Sequence, residues 1–481
     1  MKKYIICIAA LSALAISGCR KIEVDGDNVT APPVTPGAGS KTVTLSGRIT
    51  KDTTLLKSDE NFLKGPVYIT SGVTLTIQSG ATVKANFAGT DVATLVVSRG
   101  GKLIAEGSAT DPIIFTSASP NPQSGDWGGI VLCGKASINT SYLGKLGLYQ
   151  VEGGLDNAQG DALAGSGDAV VPTPVDDDNS GKLSFVRIQY AGYAFQPDKE
   201  INSLTMAAVG SGTTIDHVQV TYAKDDAFEW FGGTVNAKYL IAYKTQDDDF
   251  DTDNGYRGNV QFGLIIRDSA IADISTSEAF ESDNNSSGST ATPKTSAIFS
   301  NITAIGPRAT LTNVGNSLFR AGAQIRRNSA ISIYNSVFLG WPVGILIDAS
   351  TGTPTDLNIA DSSLRVRYTT ISGCNTPVKY TASVSAPTAA TDASINAWFT
   401  NPYHGNTIVA NTADAKLIQP YNYSAPDPTP FGGSSGYQPI LVGGNFTDSK
   451  LSNTFFTQVT FRGAIAAAGA ESSWWKGWTK F

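Results

Sequence analysis

The sequence predicts an all-β chain wound as a right-handed parallel β-helix, and three observations predict it. From residue 42 onward, short apolar strands alternate with turns rich in Gly, Asn and Asp. The composition is turn-rich and helix-poor, with 49 Gly, two Met and 16 % charged residues in 481. A strand-and-turn motif also recurs in register. Val218–Glu229 aligns without gaps to Leu240–Asp251 at an offset of 22 residues, a normal length for one coil of a solenoid. A third copy of its second half, Ala279–Asn284, follows Asp249–Asn254 at an offset of 30.

The N-terminus is read first. Lys2 and Lys3 precede an apolar stretch from Tyr4 to Ile16, which suits a signal-peptide core and is too short to span a bilayer. Ile16-Ser17-Gly18-Cys19 follows and resembles a bacterial lipobox. A thiol at Cys19 is what a thioether-linked diacylglycerol requires, so residues 1–18 are expected to be removed. The mature chain is then expected to be anchored to the membrane through lipid. Residues 19–41, rich in Pro, Gly, Thr and Ser, read as a flexible tether.

The solenoid is expected over 42–380. Val67-Tyr68-Ile69, Thr74–Ile77, Thr82-Val83-Lys84, Leu95-Val96-Val97, Lys102-Leu103-Ile104 and Ile113-Ile114-Phe115 are its first strands. Such strands are too short for a sandwich and fit three-stranded coils. Later rungs are read at Gln324–Arg327 and, twenty residues on, at Gly344–Ile347. Residues 381–481 are expected to form a loop-rich insertion, the last coils and a C-terminal cap, with the aromatic tail from Trp474 to Phe481 packing on the open end. Cys133 and Cys374 sit in apolar surroundings and read as packed thiols. His217 and His404 are too few and too separated for a zinc site. The net charge of −6 argues against nucleic acid as a partner.

Stacking the three repeats puts Phe228, Phe250 and Phe280 in register. If these rings point inward, alternation turns Glu229, Asp251 and Glu281 outward in one column, with neighbouring coils about 4.8 Å apart. Asp253 and Asp283 form a column two residues on, and Asp226 and Asp248 a third on the preceding turn. Arg326 joins the first column if Ile325 takes the phenylalanine slot. Like charges this close repel and raise one another's pKa unless a metal cation or an arginine offsets them, and hard cations take clusters of carboxylate oxygens. Asp247, Asp248, Asp249, Asp251, Asp253, Glu229, Glu281 and Asp283 are therefore the expected Ca²⁺ ligands. The alternative is a solvated acidic turn that limits edge-to-edge aggregation. A second run, Asp176 to Ser180, is a further candidate; neither run matches an EF-hand.

Trp230 and Arg326 are candidate ligand contacts. Trp127, Phe231 and Trp341 would stack on sugars or fill the core. By fold analogy with Ca²⁺-dependent lyases, Lys224, Arg257, Arg267, Arg320 or Arg326 would serve as base. A glycosidase pair of carboxylates in the same groove, with Asp248 and Asp251 as examples, is a further option, and its separation is not set by the sequence. No catalytic motif is matched, and the catalytic residues stay unassigned.

Gly125–Ile130, Phe228–Asn236, Asp247–Asp253 and Ile325–Asn328 together resemble an uncharacterised family of secreted or lipid-anchored Bacteroidota proteins. The resemblance runs from about residue 42 to the C-terminal Gly-Trp-Thr. It implies a pectin-lyase-like β-helix in the cell envelope and supplies no catalytic residue. Some members carry a sorting domain after Gly-Trp-Thr; the lipobox here makes lipid anchoring the expected route. Arg20 carries no Asp-type retention signal, which favours the outer membrane, on its periplasmic or cell-surface face. Two functions are expected on this basis. One is a non-catalytic display protein binding a polysaccharide or an envelope protein; the other is a Ca²⁺-dependent polysaccharide lyase or hydrolase.

Overall fold

A computed structural model describes residues 40–196, 199–432 and 441–481. The expected signal segment, Cys19 and the expected tether up to residue 39 lie outside the described residues. Residues 41–481 form one compact unit. No helix among the described residues is long and apolar enough to cross a membrane.

The unit is a parallel β-helix. Among the described residues, 26 strands join one sheet system, and its pairings are parallel and step from one coil to the next. Each coil of the central region has three strand segments. Phe228–Phe231, Phe250–Asp253 and Phe280–Ser282 stack on one face. Thr214–Thr221, Asn236–Tyr243, Asn259–Ile266 and Ile298–Ile305 supply the other two. These eight-residue strands bend in the middle at one left-handed residue: His217, Tyr239, Phe262 and Asn301, with φ between 52° and 61°. Left-handed backbone costs a non-glycine residue about 1–2 kcal/mol. Ring stacking offsets that here, because Phe185, His217, Tyr239 and Phe262 pile on one another with centroids 4.3, 4.3 and 5.1 Å apart.

The interior follows from strand alternation. Phe228, Phe250 and Phe280 are fully buried and meet edge to face at 5.6 and 5.3 Å. Burying each ring contributes about 1.5–3 kcal/mol. Cys133 and Cys374 are buried free thiols, as expected.

Rungs continue past 380, since Thr407–Val409 pairs with Thr370–Ser372. Two other features of the C-terminal hundred residues differ from expectation. A helix, Asp392–Phe399, starts in a Thr391/Ser394 capping box and packs Ile395 and Phe399 into the core beside the last strand of the cleft face. The aromatic tail does not close an open end. It lies along the flank, where Trp474 and Trp478 contact the His217–Tyr239 ring stack. Amide side chains on the flank hold this strap as a strand would. Gln219 exchanges two hydrogen bonds with the backbone of Lys480 (2.9 and 2.9 Å), and Gln261 does so with Thr457 (2.7 and 2.8 Å).

Register also corrects the later rungs. Glu281 pairs with Gln324 and Ser282 with Ile325, so Arg326 falls in the Asp283 column. Ile325 pairs with Ile347, an offset of 22 and not 20.

Candidate metal centre

The outward column runs Thr205, Glu229, Asp251, Glu281, Gln324 across five consecutive coils. It floors a cleft of about 260 Å³ lined by nine carboxylates, among them Glu152, Glu200, Asp225, Asp226 and Asp247. The wall beside it is a second acidic ladder in the turn that precedes each strand. Asn202 accepts the Asp226 N–H (3.3 Å), Asp226 accepts the Asp248 N–H (2.9 Å), and Asp248 accepts the Glu278 N–H (2.6 Å). Each turn carboxylate thus satisfies the next coil's backbone with one oxygen. The local pattern is acidic-x-Phe-acidic three times: Asp226 to Glu229, Asp248 to Asp251, Glu278 to Glu281.

Three overlapping triads result: Asp225/Asp226/Asp247, Asp226/Glu229/Asp251 and Asp248/Glu278/Glu281. Within each, ligating oxygens lie within 4.8 Å of one another. Calcium holds oxygens at about 2.3–2.6 Å, so two on opposite sides of the ion lie about 5 Å apart. The donor set is all oxygen, which suits a hard cation. Two buried oxygens also lack any hydrogen-bond partner, Glu278 Oε2 and Asp251 Oδ1. Glu278 is fully buried. A desolvated carboxylate oxygen with no donor is costly, and a cation is the group that would satisfy it. The residues present fit Ca²⁺.

Electrostatics agree with the geometry. Burial, then the neighbouring Asp251 and Asp226, holds Glu229 well above the usual carboxylate range. Burial, then Glu281 and Asp283, does the same to Asp251; burial, then Glu278 and Asp247, does it to Asp248. Burial pushes Asp247, Glu278 and Glu281 up to about 7, in the last case against the pull of Arg326. A cluster of this kind takes up either protons or cations.

The sequence-derived ligand set divides. Asp247, Asp248, Asp251, Glu229 and Glu281 meet in the triads; Asp225, Asp226 and Glu278 join them. Glu278 was within reach of sequence reasoning, because extending the 30-residue repeat one place back aligns it with Asp248. Asp249 does not belong. It occupies the slot that Ala227 and Ala279 fill in adjacent coils, faces the interior, and pairs with the fully buried Arg267 (3.2 Å). Asp253 joins no triad. Asp283 is neutralised by Arg326 (2.8 Å) and Arg327 (2.7 Å). Arg326 also contacts Glu281 and closes the C-terminal end of the cleft.

The second acidic run is likewise held by the chain's own cations. Asp176 pairs with Arg257 (2.7 Å) and Asp178 with Lys135 (3.0 Å), and neither joins a triad. Trp230 is corrected outright. Two residues from Phe228 it shares the inward parity, is fully buried, and stacks on Tyr256 at 5.3 Å. Trp127 and Trp341 are also fully buried, with indole N–H groups donating to Gln189 and Ala304 carbonyls. Phe231 is 6 % exposed and rests on Tyr149. None of these rings can receive a sugar. Among the base candidates, Arg320 lies between Glu278 (3.9 Å) and Asp348 (3.5 Å), and Lys224 does not line the cleft.

Comparison with curated proteins and with solved structures returned no match. A family model described as a pectate-lyase like beta helix domain matches residues 47–413. That span holds the coils and the acidic cleft, and the chain belongs to this pectate-lyase-like β-helix family.

Proposed function

We propose that this chain is a cell-envelope lipoprotein, tethered to the outer membrane through Cys19. Its β-helix displays a Ca²⁺ site and binds a polysaccharide or envelope partner there without cleaving it. The observation that carries the reading is the set of three carboxylate triads with two unpartnered buried oxygens.

The non-catalytic half rests on Arg326. A lyase base must give up a proton to act, whereas Glu281 and Asp283 hold Arg326 firmly in its charged form. It is the one cationic side chain lining the cleft among the described residues. One observation favours a second reading. Carboxyl groups held near 7, such as Glu278 and Glu281, have the protonation behaviour of a glycosidase acid.

A panel of neutral and anionic polysaccharides, with and without Ca²⁺, separates the two. Ca²⁺-dependent retention without products supports display. Unsaturated or reducing-end products that vanish in Asp251→Ala establish the enzyme. Labelled palmitate incorporation, lost in Cys19→Ala, tests the anchor.

A further inference from the structure

A second cleft lies on the last coils, separate from the acidic one in its residues. The strand Arg365–Arg367 places both arginines on one side, with Val366 buried between them. Their Nη1 groups donate to the two oxygens of Asp448, at 2.7 and 2.6 Å. The Asp448 side chain is 1 % exposed, so the two guanidinium planes are fixed. Burial is outweighed by the Lys450 N–H and the two arginines, which hold the Asp448 carboxyl below its ordinary value and thus charged. Arg367 lies over the Tyr403 ring at 5.0 Å. Tyr403 is 74 % exposed, unlike the fully buried Trp127, Trp230 and Trp341. Thr447, Ser449 and Tyr368 complete a cavity of about 370 Å³ around these groups. A smaller depression shares the same two arginines and reaches Trp398 and His404. The His404 ring is held by the Trp398 carbonyl at 2.8 Å.

We infer that this cleft is a binding site for a glycan unit bearing a carboxylate or sulfate group. The Tyr403 ring offers a flat apolar platform for the C–H face of a pyranose, backed by a guanidinium that keeps it from collapsing onto the surface. The Arg367 guanidinium engages Asp448 through its Nη1. A guanidinium carries five N–H groups, so others remain for the bidentate recognition of an anion. Thr447 and Ser449 line the same wall. Charge points the same way. Arg365, Arg367 and Lys450 face Asp448 and Asp361, leaving a local excess of positive charge on a chain of net charge −6. The site is independent of the cation reading, since none of its residues belongs to the triads.

The test uses the full chain in chelator and, in a parallel arm, in millimolar Ca²⁺, with chondroitin sulfate oligosaccharides and oligogalacturonides as anionic probes and a dextran oligosaccharide as the neutral one. At least one anionic probe is expected to bind, and Tyr403→Ala to weaken it tenfold or more without moving the melting temperature. Arg367→Ala should weaken it as well and reduce its salt dependence. The sulfated and carboxylated arms identify the anion. Four results overturn the inference: no anionic binding, binding that survives Tyr403→Ala, equal binding of dextran, or binding that needs Ca²⁺ and is lost in Asp251→Asn.

Discussion

The acidic cleft makes the stability of the cation-free protein fall as pH rises, the reverse of ordinary acid denaturation. Glu281 illustrates the size of the effect. Its carboxyl moves from 4.5 to about 7 on folding, raised by burial and lowered by Arg326, and its side chain is 16 % exposed. Each pKa unit corresponds to about 1.4 kcal/mol, so this group alone represents roughly 3 kcal/mol. The sign follows from proton counting. Between about pH 4.5 and 7 the folded chain holds a proton that the unfolded chain has released, so raising the pH favours unfolding. Glu278 and Asp247 are pushed to about 7 as well, and burial and neighbouring carboxylates also raise Asp226, Glu229, Asp248 and Asp251. These sites interact, so their contributions do not add. The expected result in chelator is a melting temperature lower at pH 8 than at pH 5 by on the order of 5 °C. Millimolar Ca²⁺ should remove most of that slope by binding the ionised form. Differential scanning calorimetry across pH 5–8, with and without Ca²⁺, measures both arms. A melting temperature that rises with pH in chelator refutes the reasoning.

Three further outcomes follow from the packing. Phe250→Ala removes a buried ring held between Phe228 and Phe280 and should cost about 3–5 kcal/mol in denaturant unfolding. Arg267→Met leaves Asp249 charged and unpaired in the interior and should cost about 3–5 kcal/mol. Adding Asp249→Ala, the residue type of the adjacent coils at that slot, should restore most of it; failure to restore would show that the pair is not the source of the loss. Ending the chain at residue 440 uncovers the Phe185–His217–Tyr239–Phe262 stack, so dye binding to exposed apolar surface should rise while the far-ultraviolet β signal persists.

The coil architecture was legible because one residue type repeats at one parity. Phe228, Phe250 and Phe280 mark the interior, and register then follows. The same rule also places Trp230 inside, two residues from Phe228, and it outweighs the general affinity of tryptophan for sugars. Arg326 was harder. Its coil carries Ala323 where the three repeat coils carry phenylalanine, so the hydrophobic marker that sets register is missing. Asp249 could not be separated from its acidic neighbours by sequence, because its partner Arg267 lies on another strand connection 18 residues later. The strap had no sequence signature at all. Its anchors are amides, Gln219 and Gln261, whose pairing with distant backbone leaves no periodicity. Tyr403 lies in a stretch without rung pattern, and its platform role depends on Arg367 from a neighbouring coil.

The central claim is that the carboxylate ladder holds a divalent cation. Calorimetric titration of the chelator-treated protein with Ca²⁺ at pH 7.5 tests it most directly. The account expects saturable binding with proton release, since the ladder carboxyls must ionise to ligate, and expects Asp251→Asn to weaken it at least tenfold. No heat and no change in melting temperature at millimolar Ca²⁺ would contradict it.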